Sequence, residues 1–262
     1  MLRAFSTAAT GMTAQQMRVD TIANNLANVN TAGFKRSQID FQDLMYVKLQ
    51  EPGAEEAAGT PAPNGLEIGS GVRPASTLKV FTQGEVENTQ RELDVAILGD
   101  GFLQVLLPNG ETAYTRDGSL RRSTTGSLVT ANGYAIQPAV TIPTDARSVK
   151  IGKDGTVSVF QGTSTTPSNI GQLTLVRFPN PSGLTSQGNN LLAETPASGT
   201  PVTGTPGDSG FGELQQGFIE RSNVQIVTEL VNLITAQRAY EINSRAIRAG
   251  DEMLSTANRL VS

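Results

Sequence analysis

Apolar side chains repeat with helical spacing at both ends of the chain. Near the start, steps of three and four residues pass through a continuous apolar seam with one polar member, Gln15. The seam consists of Phe5, Ala8, Met12, Gln15, Val19, Ile22, Leu26 and Val29. This pattern predicts an N-terminal helix roughly 40 Å long at 1.5 Å per residue. Gly33 is expected to cap its C-terminal end in a left-handed conformation.

The C-terminal region repeats the pattern with a strict seven-residue step. Ser222–Gln225 fits a capping box, and no proline follows it, so one helix is predicted from about Asn223 to Arg259. Its apolar column lies between a column of mostly small residues and a more polar one. The apolar column is Ile226, Leu233, Tyr240, Ile247, Leu254 and Val261, and the small column is Glu229, Ala236, Asn243, Gly250 and Ala257.

Between the helical ends, the pattern changes to short β-prone runs separated by turn residues. Turn signals recur about every eight residues, which predicts an antiparallel β-domain. The predicted strands are Leu93–Leu98, Phe102–Leu107, Glu111–Arg116, Ser119–Ser123, Ser127–Thr130, Tyr134–Gln137, Ser148–Ile151, Thr156–Phe160 and Leu173–Phe178. The turn dipeptides, whose central residues need positive φ, are Asn64-Gly65, Asp100-Gly101, Asn109-Gly110, Asp117-Gly118, Asn132-Gly133 and Asp154-Gly155.

Two further stretches, Pro52–Gly71 and Thr195–Gly210, have the composition of linkers or long loops. In the first, residues 66–72 alternate between apolar side chains and polar or small ones, directly after the Asn64-Gly65 turn. This alternation predicts a short strand and therefore a long hairpin or loop.

Together these elements predict an α+β fold. Long N- and C-terminal α-helices are expected to pack as a coiled-coil-like pair, with an antiparallel all-β middle domain inserted between them. The predicted parts are a discontinuous helical core domain at residues 1–33 and 222–262, a connector with an extended hairpin or loop at residues 34–84 and 212–221, and a β-rich outer domain at residues 85–211.

Composition narrows the classes of partner. Aromatic residues make up 5% of the chain and tryptophan is absent, so thin cores that gain burial from neighbours are expected. The net charge of −4, without blocks of like charge, argues against nucleic-acid binding.

No apolar run reaches the roughly 20 residues of a membrane span, and Met1–Met17 lacks the pattern of a cleaved signal peptide. We therefore expect neither direct membrane insertion nor secretion by the general pathway.

The residue types also argue against an enzyme. The chain contains no histidine and no cysteine, so the commonest general base, the commonest metal ligand and the thiolate nucleophile are all missing. Of the remaining candidate carboxylates, Asp94, Asp100, Asp117 and Asp154, three precede a glycine in predicted turns. Glycine-rich pieces match neither the phosphate loop nor the dinucleotide motif. We expect no catalytic, metal or cofactor-binding site.

Several segments resemble one family. Ala23–Lys35, ANNLANVNTAGFK, is similar to the N-terminal signature of flagellar rod, hook and hook-associated axial proteins. Leu93–Phe102, followed by Tyr114–Gly118, resembles the first β-segment of the rod and hook members that carry an outer domain. Glu229–Ile247 and Gly69–Pro74 are most similar to distal rod subunits. The resemblance covers essentially the whole chain.

The resemblance implies a structural subunit of the bacterial flagellar basal-body distal rod. Such subunits assemble into a helical tube that transmits torque across the periplasm and provides the export channel for axial proteins. The implied partners are further copies of the chain, proximal rod proteins, the hook protein, the ring proteins of the peptidoglycan layer and outer membrane as a bushing, and the flagellar type III export apparatus, which exports such subunits without signal-peptide cleavage. Open alternatives are a proximal rod paralogue of similar length, a hook-type subunit, and a monomeric β-rich binding or adhesin domain.

The resemblance and the helical pattern together predict two groups of functional residues. The predicted subunit interface consists of Phe5, Met12, Val19, Ile22, Asn24, Asn25, Leu26, Asn28, Asn30, Gly33, Phe34, Ile226, Leu233, Gln237, Arg238, Tyr240, Asn243, Ile247 and Leu254. The predicted rod-stiffening connector is marked by Pro52, Pro61, Pro63, Gly65, Gly69 and Gly71.

Overall fold

The computed structural model describes residues 2–51, 55–57, 60–61, 64–162 and 166–261, which form two compact units. The helical unit comprises Met1–Leu26, Ser37–Leu78 and Gln225–Ser262, and the β unit comprises Ala27–Arg36 and Lys79–Val224. The predicted α+β class is confirmed. The predicted three-part boundaries stay a prediction.

The helical unit contains both helices and the strands of the connector. Helix α2 begins at Ile226, later than the predicted Asn223, and the Ser222 hydroxyl accepts the N–H of Val224. The elements are α1 Leu2–Ala27, β1 Ser37–Asp43, β2 Val47–Gln50, β3 Glu55–Ala57, β4 Thr60–Pro61, β5 Leu66–Ile68, β6 Val72–Lys79 and α2 Ile226–Val261. Strand β1 pairs with β6, β2 with β5, and β3 with β4.

Helices α1 and α2 pack antiparallel through small residues. A Cβ at Gly250 would lie 2.8 Å from the Phe5 ring, and one at Gly11 would lie 2.9 Å from the Asn243 amide. Residue numbers rise along one helix as they fall along the other. Ala236, in the same column of α2, is also buried. The small column therefore contacts α1, because small side chains let two helices approach closely.

The β unit is built from short strands that pair antiparallel. The strands are β7 Val86–Asn88, β8 Val95–Leu98, β9 Leu103–Leu106, β10 Thr112–Thr115, β11 Arg121–Arg122, β12 Leu128–Val129, β13 Ala135–Gln137, β14 Ala146–Ile151, β15 Thr156–Gln161, β16 Ser168–Gln172, β17 Leu175–Arg177, β18 Thr185–Gly188, β19 Leu191–Ala193, β20 Val202–Gly204, β21 Glu213–Gln216 and β22 Phe218–Glu220. The largest sheet has seven strands in the order β11-β12-β13-β9-β10-β19-β18, and β14-β15-β16 form a second sheet.

Two hydrophobic clusters fill the β unit. The larger is formed by aliphatic side chains of the sheets, with Ile97, Leu103 and Val105 fully buried. The smaller is aromatic, and its Phe102 and Phe178 rings meet edge to face at 6.0 Å between centroids. Such aromatic contacts stabilise a core beyond the area that they bury. The β unit thus has a core of its own.

Three local predictions are corrected. Helix α1 ends at Ala27, so Gly33 does not cap it, although its φ of +67° is left-handed. At Asp117-Gly118 the glycine is required for close approach, because a Cβ at Gly118 would overlap the Val95 carbonyl oxygen. The predicted linker at 195–210 is part of the β unit and contains β20.

Candidate functional site

Helix α2 presents an apolar face on the side opposite to its contacts with α1. Val227, Val231, Ile234 and Ile242 are 75%, 57%, 50% and 64% exposed. At 100° per residue Val227, Val231 and Ile234 lie roughly half a turn around the helix from Ala236 of the small column, and Ile242 lies about a third of a turn from it. Soluble monomers rarely leave such apolar stripes uncovered, so this face is a candidate for contact with another protein surface.

The residues of the predicted interface divide into three groups by burial, and their role stays a prediction. Asn24, Asn30, Ile226, Gln237, Arg238 and Tyr240 are exposed. Partly buried are Phe5, Met12, Val19, Leu26, Asn28, Gly33, Phe34, Leu233, Asn243, Ile247 and Leu254. The remaining two, Ile22 and Asn25, are buried. The apolar column of α2 is therefore available to neighbours mainly at Ile226 and Tyr240.

Asn25 fastens the end of α1 to the start of β1. Its Nδ2 donates to the carbonyl of Ser37, and its Oδ1 accepts the N–H of the same residue, both at 2.8 Å. This reciprocal pair resembles one rung of a β-ladder, with a side chain in place of one strand. The buried amide is thus engaged within its own chain.

The β unit buries two cationic side chains, Lys35 and Arg116, against one carboxylate, that of Glu220. Lys35 Nζ lies 2.6 Å from one Glu220 oxygen, and Arg116 Nη2 lies 2.9 Å from the other. The Glu220 side chain is fully buried, and those of Lys35 and Arg116 are 3% and 7% exposed. Arg116 Nη1 also donates to the carbonyls of Gly99 and Gly101. Each charge is therefore paired and further hydrogen-bonded, as burial requires.

Asn223 extends this cluster to the backbone of two other segments. Its Oδ1 accepts the N–H of Arg36 at 2.8 Å, and its Nδ2 donates to the carbonyls of Val80 and Thr82. Lys35 Nζ donates to the Thr82 carbonyl as well, at 2.7 Å. We call this cluster the polar junction; its members are Lys35, Thr82, Arg116, Glu220 and Asn223.

Two glycines bring the backbone close to the polar junction. Gly33 donates its N–H to the Glu220 carbonyl, and Gly84 donates its N–H to the Glu220 carboxylate. A Cβ at Gly33 would lie 2.7 Å from backbone atoms of Arg116 and Asp117. Gly33, which the sequence places in the predicted interface, therefore has a structural role within the chain.

Burial governs the electrostatics of the two lysines near the polar junction. Burial lowers the pKa of the Lys35 ammonium below its ordinary value, and the Glu220 carboxylate opposes that shift. Burial also lowers the pKa of Lys79, whose ammonium lies 5.4 Å from the centre of the Phe34 ring. The charged form of Lys35 thus depends on Glu220 as its partner.

The connector hairpin, formed by β2 and β5 with the flanking residues 44–46 and 69–71, exposes large apolar side chains. They are Met45, Tyr46, Leu49, Leu66 and Ile68. Gly71 accepts the N–H of Leu44 at its carbonyl, which closes the base of the hairpin. Of the predicted stiffening residues, Pro52 and Pro63 lie outside the described residues and Pro61 ends β4, whereas Gly65, Gly69 and Gly71 are partly buried.

The cavities do not suggest chemistry. A cleft of about 850 Å³ in the helical unit is lined by Arg3, Ala4, Thr7, Ala8, Ile68, Gly69 and Asn243. A cleft of about 440 Å³ in the β unit is lined by three phenylalanines and two prolines together with the charged residues Asp100, Arg116 and Arg177. Within the described ranges, no three potential metal-ligating side chains gather. No helix in the described part of the chain is long and apolar enough to cross a membrane.

The sequence did not reveal the polar junction. Lys35 and Glu220 are 185 residues apart, and Arg116 and Glu220 are 104 residues apart. Periodicity detects side chains that share a face of one element, but not charges that meet across distant segments. A weak signal was present, since Lys35 follows Gly33-Phe34 and Glu220 follows Phe218-Ile219. A charge beside such apolar residues is a candidate for paired burial.

Comparison with known proteins yields matches along the chain. The family described as "Flagella basal body rod protein" matches residues 5–35. The family "Flagellar hook protein FlgE/F/G D1 domain" matches residues 96–159. The family "Flagellar basal body rod FlgEFG protein C-terminal" matches residues 215–260. These matches cover both helical ends and part of the β unit.

Full-length relatives agree with these matches. The chain is 51% identical over 251 residues to the flagellar basal-body rod protein FlgG of Buchnera aphidicola subsp. Schizaphis graminum, with 96% of each chain covered. It is 48% identical over 262 residues to FlgG of Borreliella burgdorferi, with 99% of each covered. It is 44% identical over 262 residues to FlgG of Caulobacter vibrioides, with all of each covered.

Proposed function

Because the chain belongs to the family of flagellar basal-body rod proteins, which are structural subunits of the flagellar rod, we propose that its copies assemble into the helical tube of the distal rod. In this role the chain acts through packing and carries no catalytic site. The tube would transmit torque across the periplasm and enclose the channel for exported axial proteins. The partners are other copies of the chain, proximal rod proteins, the hook protein and the surrounding ring proteins.

The observation that carries this proposal is the exposed apolar face of α2. Val227, Val231, Ile234 and Ile242 expose half or more of their apolar surface, and burying what is exposed would stabilise an assembly by about 1–2 kcal/mol for each side chain. Lateral contact between copies would cover this face over residues 227–242, in the N-terminal half of the helix. A monomeric binding or adhesin domain would leave it in water, which is why we favour assembly over that alternative.

Ile234→Asp tests this assignment. A carboxylate at this position must be desolvated when copies pack, so we expect rod assembly and swimming to be lost. The matched control is Ser255→Asp on the same helix, which is exposed and lies beyond residues 227–242 of the apolar face. Electron microscopy of basal bodies and swimming assays provide the readout. Normal rods with Ile234→Asp, or equal loss with both variants, would show that this face does not mediate assembly.

Export and position along the rod are finer parts of the proposal. We propose export by the flagellar type III apparatus without cleavage, and a place in the distal rod. The proximal paralogue and the hook-type subunit are the alternatives for position. Immunogold labelling of purified basal bodies distinguishes the three, because label should lie between the proximal rod and the hook. Label at either end of that interval would contradict the distal assignment.

We also propose that the connector hairpin stiffens the rod. Its exposed Met45, Tyr46 and Leu49 cannot be covered by so short a hairpin, and they would gain apolar contacts from an adjacent copy. Contacts on two sides of a subunit would resist bending.

A further inference from the structure

The chain passes between its two units four times, at residues 26/27, 36/37, 78/79 and 224/225. Three short segments of the β unit adjoin the last three of these passages. They are residues 33–36, 80–84 and 220–223, and the polar junction joins all of them. The three segments by which the chain enters or leaves the β unit at these boundaries therefore all meet in the polar junction.

Each pair of segments is joined by more than one contact. Segment 33–36 meets 220–223 through Lys35 with Glu220 and through Arg36 with Asn223. Segment 80–84 meets 220–223 through the amide of Asn223 and through the N–H of Gly84 on Glu220. Backbone pairing adds the N–H of Val80 on the Arg36 carbonyl, at 3.0 Å. The three segments thus form one hydrogen-bonded set.

Burial makes this set respond as a unit. Withdrawing segment 33–36 would take the Lys35 ammonium out of its buried ion pair and leave Glu220 Oε1 with the N–H of Gly84 as its remaining partner. Withdrawing segment 220–223 would leave both Lys35 and Arg116 without their common partner. Moving segment 220–223 alone is therefore more costly than its lost contacts suggest, because it leaves two buried cations without a counter-charge.

We propose that the polar junction is a conformational latch with Glu220 at its centre, which holds the three segments in one arrangement and opens only as a whole. The latch keeps the exits of the chain from the β unit fixed under load. It is a property of the single chain, so it stands or fails independently of the proposed assembly.

Glu220→Gln tests the latch in the dilute full-length chain by amide hydrogen exchange. The reporters are the N–H groups of Gly33, Arg36 and Gly84, each of which donates to Glu220 or Asn223. We expect their exchange to accelerate about tenfold or more, because loss of the carboxylate charge leaves two buried cations unpaired. The matched control is Glu213→Gln, whose partner Lys153 is 81% exposed, and it should leave the reporters unchanged.

Reference amides separate a latch from general destabilisation. The N–H groups of Leu103 and Val105, in the core of the β unit, should keep their protection in Glu220→Gln. Equal acceleration of reporters and reference amides would overturn the proposal, and so would unchanged reporters. If Glu220→Gln does not fold, Asn223→Ala provides the second variant. It should release Arg36 and also accelerate Gly33, which Asn223 does not contact; acceleration confined to Arg36 would equally refute opening as a whole.

Discussion

The two units of the chain bury apolar surface in opposite ways. The β unit encloses its aliphatic cluster so completely that Leu103, Val105 and Ile97 are 0% exposed. Helix α2 of the helical unit uses small residues for its contact with α1 and leaves Val231, Ile234 and other large side chains in water. One unit is therefore stable through its own core, whereas the other keeps apolar surface available for neighbours.

Leu103→Ala should have the largest effect on the isolated chain. The side chain is fully buried in the aliphatic cluster, so its truncation leaves a cavity and should lower the free energy of unfolding of the β unit by about 3 kcal/mol. Ile242→Ser on the exposed face of α2 is the matched control and should change it by less than about 0.5 kcal/mol. Urea unfolding monitored in the β unit measures both, and similar effects from the two variants would invalidate the comparison.

Gly33→Ala should have a smaller effect. The substitution places a side chain at a φ of +67° and a Cβ 2.7 Å from backbone atoms of Arg116 and Asp117, so we expect a loss of about 2–3 kcal/mol. Gly110→Ala separates the two causes, because its φ is +84° with nothing near the added Cβ. It should cost about 1 kcal/mol. Equal losses in urea unfolding would show that crowding at Gly33 is relieved without cost.

Deletion of residues 55–64 should have the smallest effect on the isolated chain. The deleted residues belong to the connector, so the free energy of unfolding of the β unit should change by less than about 0.5 kcal/mol. In assembled rods the effect should be visible, because the deletion removes β3 and β4, which continue the chain beyond the connector hairpin, and so leaves less surface for contact with an adjacent copy. Electron microscopy of basal bodies should show altered curvature or length, and straight rods of normal length would contradict a stiffening role.

Local patterns predicted the elements well where the signal was strong. Every predicted strand between Leu93 and Phe178 has a counterpart in the structure, and both terminal helices are present. Strands such as β16 and β18, with sequences SNIGQ and TSQG, were missed because polar and glycine residues carry no alternation. Their pairing is determined by neighbouring strands rather than by their own composition.

The sequence alone could not predict which face of α2 contacts α1, or which charged residues far apart in the chain form ion pairs. The seven-residue step correctly grouped Ile226 with Tyr240 and Ala236 with Asn243, but it did not tell which column contacts α1. Close approach selected the small column, since the larger side chains would hold the helices apart. The Lys35–Glu220 pair depends on tertiary contact between residues far apart in sequence, which no local periodicity records.

The contact of the Phe5 ring with Gly250 also influences the axial register of α1 against α2. Sliding α1 by two turns, about 10 Å, would bring the ring onto Asn243, whose side chain occupies the space that glycine leaves open. The ring therefore disfavours a slip of the helices in that direction. A fixed register gives each copy of the chain the same exposed apolar residues at the same height, which a regular assembly of identical subunits requires.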